Sequence, residues 1–435
     1  MSTKSFEVSK GYRNYVLFML MIVYTFNFID RQILVIIQEP IRNELGLSDT
    51  QLGLMTGLTF ALFYVILGLP IARLADHSNR RNIVALSLTV WSGMTALSGF
   101  AQNFGQLLLA RIGVGVGEAG GSPPSHSMIS DYFPPEKRAT AFSIYNMGIY
   151  IGIMVGFIVG GWVADVYGWR MAFFAVGMPG VLLAAIVWLT IKEPVRGLYD
   201  HDKHELVPLK TVINHFKSHK SMVLLSLACA MTAFTGYANT NFMGSYLIRV
   251  HEMSITETGF VLAMTIGLGG SIGTFAAGFL ADKLGKKDIR WYLWMPAYMG
   301  LISAPFGLYV FLSDDTANIM YVYFISVIFS SMYLGPSIAV CHSLSKPSMR
   351  ALVSALLFFI LNLIGLGLGP LATGIVSDYL AADYGVLSIR YALVIVSVFG
   401  GIPAFVFFIW AGKQLAIDAK NQELEKDTVV IAPEL

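Results

Sequence analysis

The amino-acid sequence predicts an all-α membrane protein in which twelve transmembrane helices form two pseudo-symmetric six-helix bundles. Of its 435 residues, 55% are hydrophobic and only 13% are charged, whereas a typical soluble domain carries about 25% charged residues. Apolar segments of about 20 or more residues, each long enough to cross a hydrocarbon core, recur along nearly the whole chain. The two halves of the chain also carry corresponding charges in corresponding loops. Lipid is therefore the expected solvent for most of the surface.

Each apolar run is continuous, which predicts a helix, whereas the strands of an outer-membrane barrel alternate over about ten residues. In the first half, the predicted spans lie near 15–38, 49–74, 81–102, 105–131, 138–164 and 169–192. In the second half, they lie near 221–249, 255–282, 288–312, 317–343, 348–380 and 387–412. The predicted domains are an N-terminal segment 1–13, a first bundle 14–192, a linker 193–220, a second bundle 221–413 and a tail 414–435.

Basic residues indicate which loops are cytoplasmic, because translocation of Lys and Arg is disfavoured. With both termini inside, the cytoplasmic segments contain 23 of the 29 Lys and Arg residues. Two arginines, Arg31 and Arg111, fall inside predicted spans. The four outer arginines are Arg42, Arg170, Arg249 and Arg390. Short termini and small loops favour a bacterial inner membrane, with both termini in the cytoplasm.

The linker contains apolar residues that share one helical face. They are Leu206, Leu209, Val212, Ile213 and Phe216. An amphipathic helix lying on the bilayer surface is one interpretation, and a solvated linker is the other.

The two halves of the chain form an internal repeat. The loop "ARLADHSNRRN" (72–82) aligns with "GFLADKLGKKD" (278–288), and "PPEKRATAFS" (134–143) aligns with "KPSMRALVSA" (346–355). Repeats of six helices are typical of secondary transporters in which two similar lobes rock about a site between them.

The segment "GFLADKLGKK" resembles the loop signature of the major facilitator superfamily. In that family, an acid at one helix end and basic residues after a turn latch the cytoplasmic face. The resemblance implies the major facilitator fold and such a latch in both halves. The expected latch residues are Asp76, Arg80, Arg81, Arg138, Asp282, Lys286, Lys287 and Arg350. Ala72 and Asn79 replace glycines of the signature in the first copy.

Within that superfamily, three motifs together resemble the spinster family. They are "FNFIDRQ" (26–32), "RIGVGVGEAG" (111–120) and "KEPVRG" (192–197). The resemblance implies transport of lysolipids or sphingolipids. The "DR" pair in the first span is also similar to anion:cation symporter families, so a small carboxylate substrate remains an alternative.

Four charges lie within the first and fourth spans, where each costs about 2.5 to 3.5 kcal/mol on insertion scales and needs a partner or a water-filled cavity. Asp30 and Arg31 lie past the middle of the first span, and Arg111 and Glu118 lie two helical turns apart in the fourth. We expect the two acids to be held by the two arginines, with partners that differ between conformations. A static network that only fixes helix packing is the alternative.

Protonation of Asp30 or Glu118 would release an arginine, which could then hold an anionic head group. This predicts proton coupling by Asp30, Glu118 and Arg111, and substrate binding by Arg31. Ser122 and His126 continue the same face of the fourth span and are further substrate-binding candidates. For His126, a hydrogen bond to a neighbour is the competing interpretation.

Neutral polar residues in the second half are candidates for the rest of the substrate site, although ordinary interhelical hydrogen bonding is the competing interpretation for each. They are Tyr237, Asn239, Asn241, Tyr246 and Asn362. A charged first half opposite an apolar second half suits an amphipathic ligand, with its head group beside Arg31.

Glycines recur at four-residue spacing in the fifth span, at 148, 152, 156 and 160, and cluster in the eleventh. Small-residue stripes allow close helix packing. Because the family places these two helices between the bundles, the stripes are interpreted as sliding surfaces, with simple tight packing as the alternative.

Other function classes lack their motifs. "GVGEAG" (115–120) lies inside an apolar span and not between a strand and a helix, which argues against nucleotide binding. No catalytic motif, metal-ligand spacing or basic nucleic-acid patch occurs, so we expect no enzyme activity, cofactor, metal or nucleic-acid partner. A channel is disfavoured because a duplicated chain supplies its own cavity, which also favours a monomer. The sequence therefore predicts a proton-coupled transporter of an amphipathic organic anion working by alternating access, with a symporter of small carboxylates as the alternative.

Overall fold

Helices occupy almost the entire described part of the protein. The computed structural model describes residues 9–199 and 207–431, and these residues contain helices and turns without a β-strand. In the first half, the helices are α1 (Lys10–Leu45), α2 (Asp49–Gly53, Leu54–Leu58 and Thr59–His77), α3 (Arg80–Ser98), α4 (Phe104–Glu118 and Ser122–Tyr132), α5 (Pro135–Tyr167) and α6 (Trp169–Thr190). The all-α prediction is confirmed.

The second half begins after a short linker helix, Leu209–Ser218. Its helices are α7 (Lys220–His251), α8 (Ile255–Leu262, Ala263–Gly269 and Gly270–Gly285), α9 (Trp291–Leu312), α10 (Thr316–Ser330 and Leu334–Ser343), α11 (Arg350–Leu361, Asn362–Leu368 and Gly369–Tyr384) and α12 (Ser388–Ile431). A helix therefore lies at each of the twelve predicted spans.

Within residues 9–199 and 207–431, nine helical stretches are long and apolar enough to cross a membrane. One of them, Arg350–Asn421, contains α11 and most of α12, and together the stretches include every numbered helix except α3 and α4.

Local sequence signals set several helix ends. The N-terminal amides of α1, α2 and α8 are capped by the hydroxyl groups of Ser9, Ser48 and Ser254. Ser48 and Ser254 each form a capping box, in which a side chain three residues later returns a hydrogen bond. Gly46 ends α1 in a left-handed conformation, with φ at 65°, which glycine adopts without steric cost.

Two compact units group the described residues differently from the halves of the repeat. Unit 1 contains the described residues of the first half together with Thr240–Leu268 and Thr373–Ile389. It therefore includes the last part of α7, the first part of α8 and the last part of α11. Unit 2 contains the remaining described residues. The division into two six-helix bundles, which depends on the sequence repeat, stays a prediction.

The linker helix packs into the core of unit 2 through Val212 and Phe216, both of which are buried. His215 donates a hydrogen bond from Nε2 to the carbonyl of Leu344 at 3.0 Å. Burial, with a smaller effect of neighbouring His219, lowers the pKa of His215. The apolar face thus contacts protein, although Leu209 is exposed; Leu206 lies outside the described residues.

The glycine stripe of α5 packs against α1 of the same unit. A Cβ atom at Gly152 would lie 2.5 Å from the carbonyl oxygen of Thr25, and one at Gly148 would lie 2.8 Å from that of Met21. Gly156 and Gly160 face the following turns of α1. The interpretation of this stripe as a sliding surface between bundles is therefore wrong. Its function is close packing, and it fixes the helix that carries Asp30 and Arg31.

We expect Gly152→Ala to lower the thermal unfolding midpoint of the purified protein in detergent, because the added methyl group has no space against the α1 backbone. Overpacking of this kind costs about 1–3 kcal/mol. Gly93→Ala in α3 is the matched control, since a Cβ there meets no atom within 4 Å. Equal midpoints for the two variants would show that α1 and α5 are less closely packed than described.

Candidate functional site

The four charges predicted inside the membrane come together in unit 1. Asp30 and Arg31 project from α1, and Arg111 and Glu118 project from α4, where their spacing of two turns places them on one face. The Nε atom of Arg31 donates to Oε2 of Glu118 at 2.7 Å. Asp30, Arg111 and Glu118 are at most 2% exposed. These four residues are called the charged cluster below.

Aromatic rings surround the arginines of the cluster. The guanidinium carbon of Arg31 lies 5.2 Å from the ring centroid of Phe28 and 5.0 Å from those of Phe60 and Tyr64. Phe60 also lies 5.7 Å from the guanidinium of Arg111. The side chain of Arg31 is 17% exposed and is therefore the most accessible member. Rings at these distances attract a desolvated cation and provide apolar surface beside it.

The cluster retains unused hydrogen-bonding capacity. Neither carboxylate oxygen of Asp30 accepts a hydrogen bond from a described residue, and Nε and Nη1 of Arg111 donate none. Glu118, Thr95 and Arg111 are the polar neighbours of Asp30. Glu118 thus accepts a hydrogen bond from an arginine, whereas Asp30 has Arg111 as a charged neighbour, and the exchange of partners between conformations stays a prediction. Buried polar atoms without partners are uncommon, and each requires an explanation.

The other two candidates in α4 lie among aromatic residues. His126 contacts the rings of Phe142 and Tyr145 edge-on, with 5.3 Å between centroids in each case. Tyr145 stacks on Tyr24 at 4.4 Å, and its hydroxyl is a neighbour of Ser122. These contacts give His126 a packing environment, and substrate binding by His126 and Ser122 stays a prediction.

The candidates of the second half are distributed between the units. Tyr237, Asn239 and Asn362 belong to unit 2, where Oδ1 of Asn239 accepts a hydrogen bond from Ser397 at 3.1 Å. Asn241 and Tyr246 belong to unit 1 and are buried.

Tyr246 is enclosed by protein in unit 1, and substrate binding by Tyr246 stays a prediction. Its side chain is fully buried, and its hydroxyl lies 2.9 Å from Nε2 of His251. His251 follows Tyr246 by five residues at the end of the same helix. Helical spacing predicts contacts between residues three or four apart, so it did not predict this one.

Arg80, one of the expected latch residues, is the centre of a buried ion-pair network in unit 1. It donates to Asp131 at 2.5 Å, to Glu193 at 2.7 Å and to the hydroxyl of Ser127 at 2.7 Å. The second oxygen of Glu193 accepts from the backbone amide of Arg81 at 3.0 Å. The acids that hold the basic loop are therefore Asp131 and Glu193, neither of which was expected to belong to the latch.

The other latch residues form smaller contacts. Arg138 donates to the carbonyl oxygens of Ser130 and Phe133, and Arg350 donates to that of His342. Asp282 accepts from the hydroxyl of Tyr292, whereas Lys286 and Lys287 are exposed. The side chain of Asp76 lies outside the described part of the structure.

Sequence reasoning missed both the aromatic surroundings of Arg31 and the acids around Arg80. Glu193 lies in "KEPVRG", one of the motifs that carried the spinster resemblance. The motif showed that Glu193 is charged, but not that it pairs with Arg80. Phe60 and Tyr64 are four residues apart on α2 and resemble ordinary lipid-facing aromatics in an apolar span.

Comparisons with known proteins agree with this architecture. The sequence model of the Major Facilitator Superfamily matches residues 20–370. A curated relative described as an MFS-type efflux pump, from Mycolicibacterium smegmatis, is 31% identical over 383 residues, which cover 86% of this chain and 87% of the relative.

A solved structure is similar over nearly the full length. It is a bacterial homologue of the human lysosomal transporter spinster in an inward-facing, unoccupied conformation, with 33% identity, a TM-score of 0.86 and coverage of 94% of this chain and 99% of that chain. A probable galactarate/D-glucarate transporter of Bacillus subtilis is 29% identical over 302 residues, covering 63% of this chain and 66% of the relative. The resemblance of the sequence motifs to the major facilitator superfamily and to the spinster family is confirmed.

We expect Arg80→Gln to destabilise the protein strongly, because it leaves Asp131 and Glu193 without the cation that neutralises them. Removing one partner of a buried ion pair costs about 3–5 kcal/mol. Lys286→Gln is the matched control, because Lys286 is the repeat counterpart of Arg80 but its side chain is exposed. Thermal unfolding midpoints of the two variants measure the difference, and a shift no larger for Arg80→Gln than for Lys286→Gln would contradict the network.

Proposed function

Because the chain belongs to the Major Facilitator Superfamily, and is therefore a membrane transporter and not an enzyme, we propose that it is a proton-coupled secondary transporter of an amphipathic organic anion. Transport follows alternating access, which the repeat of two six-helix halves supports. The observation that carries the proposal is the charged cluster, which combines two acids and two arginines inside the membrane.

Charge balance explains how a proton and an anion are coupled at this cluster. With both acids ionised, the two negative and two positive charges cancel. One proton added to either carboxylate leaves a net positive charge in a low-dielectric site, where an uncompensated charge is costly. An anionic substrate restores neutrality, so that proton binding and anion binding favour each other.

Glu118 and Asp30 contribute differently to this step. Glu118 accepts directly from Arg31, and its protonation weakens that ion pair and frees the Arg31 guanidinium for a substrate anion. Asp30 accepts no hydrogen bond from an arginine of the described residues, and its charge is balanced through Arg111, the cation among its polar neighbours. Arg111 thus keeps the pair of acids compatible with the membrane in the unprotonated state.

The surroundings of Arg31 support an amphipathic substrate. A carboxylate or phosphate pairs with the guanidinium, and Phe28, Phe60 and Tyr64 offer ring faces to an adjoining apolar group. The likeness to the bacterial spinster homologue, at 33% identity, favours the lipid class that the motifs suggested. Lysolipids combine such a head group with an acyl chain.

A second candidate function is the transport of small sugar acids. The relative described as a galactarate/D-glucarate transporter favours it, and such dianions also pair with arginine. Its identity is lower and it covers less of the chain than the spinster homologue does, so the amphipathic anion is the preferred substrate class.

We expect Asp30→Asn and Glu118→Gln each to reduce the rate of proton-driven substrate uptake into proteoliposomes at least about tenfold. Each variant removes a carboxylate at which a proton changes the charge balance of the cluster. Substrate exchange without a proton gradient should be retained. Glu44→Gln is the matched control: Glu44 is also an acid on α1, but its side chain is 48% exposed and it pairs with Arg170. Wild-type proton-driven uptake by folded Asp30→Asn and Glu118→Gln proteins would contradict the coupling role.

We expect a lysophospholipid to bind the purified protein more tightly than galactarate, and more tightly at pH 5.5 than at pH 8, because protonation of the cluster releases Arg31. Arg31→Gln should weaken lysophospholipid binding about tenfold, since a charged hydrogen bond is lost. Tryptophan fluorescence or microscale thermophoresis measures both ligands. A preference for galactarate would contradict the amphipathic substrate and favour the small carboxylate class.

A further inference from the structure

The four outer arginines, which the distribution of basic residues leaves unexplained, all form ion pairs. Arg170 pairs with Glu44, and Arg390 pairs with Asp314. Arg42 and Arg249 both pair with Glu39 and Asp49. Each positive charge that lies against the positive-inside tendency is therefore neutralised by an acid.

Arg249 is held most extensively. Its two terminal nitrogens donate to the two oxygens of Asp49 at 2.7 and 2.6 Å, and its Nε donates to Glu39 at 2.7 Å. The side chains of all three residues are at most 8% exposed. A bidentate pair fixes both distance and orientation of its partners, so α7 is held to the end of α1 and the start of α2.

The last part of α11 joins the same network. Ser377 donates from its hydroxyl to Asp49 at 2.6 Å. The carboxylate of Asp378 accepts from the backbone amides of Asp49 and Thr50 at 3.0 and 2.8 Å, which caps the N-terminus of α2. Helix N-termini carry unpaired amides and a partial positive charge that such an acid stabilises.

Arg249 differs from Arg170 and Arg390 in what it connects. Arg170 on α6 pairs with α1, and Arg390 on α12 pairs with the loop between α9 and α10, so each joins elements of one half of the repeat. Arg249 and Asp378, although they belong to unit 1, come from the second half of the repeat and hold helices of the first half. Contacts that join the two halves must separate if the halves move apart at this end of the membrane, whereas contacts within one half need not.

The chemistry of the contact suits reversible closure. The desolvation penalty of a buried ion pair offsets much of its Coulomb energy, so a well-formed pair contributes little net stability over the hydrated, separated charges. Gln38, which directly precedes Glu39 on α1, donates to the carbonyl of Asn241 at 2.5 Å and to the hydroxyl of Ser245 at 2.9 Å, and Ser245 lies one turn before Arg249 on α7. We expect separation of the ion pairs to expose these buried polar groups.

We propose that Glu39, Asp49, Arg249 and Asp378 form an outer lock that closes the face opposite the termini and must open before a substrate passes that face. The lock depends on alternating access as proposed above, but not on the charged cluster or on the identity of the substrate.

The test measures access to a buried position just behind the lock. Ser245→Cys, introduced into a Cys229→Ser/Cys341→Ser background, is labelled with a membrane-impermeant maleimide added outside right-side-out vesicles, without substrate or proton gradient. Ser245 is 1% exposed in the closed arrangement. We expect Arg249→Gln to accelerate labelling at least about tenfold, because the cation that joins α7 to Glu39 and Asp49 is lost, while the remaining cation, Arg42, belongs to α1 and holds nothing of the second half.

Arg170→Gln is the matched control, because it breaks an ion pair at the same face within one half of the repeat, and labelling should remain at the background rate. Asp378→Asn provides a second variant if Arg249→Gln folds poorly; it weakens the cap on α2 while leaving the Arg249 pairs intact, and should accelerate labelling severalfold.

Labelling of Arg249→Gln and Asp378→Asn at the rate of Arg170→Gln would overturn the lock. Equal acceleration by Arg170→Gln would also overturn it, since the effect would then be a general loosening. Faster labelling of Arg249→Gln, together with unchanged proton-driven uptake by Asp30→Asn, would support the lock and contradict the coupling role. The two proposals can therefore fail separately.

Discussion

The protein's chemistry depends on the requirement that a charge inside a membrane have a compensating charge or solvent. The described residues meet this requirement in unit 1 with arginine–carboxylate groups at three levels. Arg80 is held by Asp131 and Glu193, Arg31 by Glu118, and Arg249 by Glu39 and Asp49. Arginine suits all three positions because its planar fork forms several hydrogen bonds and stays protonated when buried.

Helix α1 links these requirements to the packing of the bundle. Its face toward α5 is fixed by the glycine stripe, which allows backbone contact and little side-chain adjustment. A neighbouring face carries Asp30 and Arg31, and its last turns carry Glu39 and Glu44. The proposed mechanism uses this connection: a movement of α1 would shift Asp30, Arg31 and Glu39 together and so link protonation of the charged cluster to opening of the outer lock.

The sequence was sufficient for the helices and for the four charges, because apolar run length and the cost of buried charge are local properties of the chain. It was not sufficient for most of the pairings. Asp131 and Glu193 lie 51 and 113 residues from Arg80, and no periodicity connects residues on different helices. The glycine stripe was recognised, but its partner was misassigned, because spacing shows that a helix packs closely without showing against which neighbour.

The number of acids around each arginine separates the ion pairs that a proton can open from those that it cannot. Arg80 and Arg249 are each held by two carboxylates, so that one protonation leaves a charged contact in place and the helices stay joined. The Arg31–Glu118 contact is made through Nε and a single carboxylate oxygen, and aromatic rings lie close to the guanidinium. In the proposed mechanism, one proton on Glu118 removes the negative charge on which this contact depends. The proposed mechanism therefore assigns the response to protons to the level at the middle of the membrane, and the response to helix movement to the levels at either end.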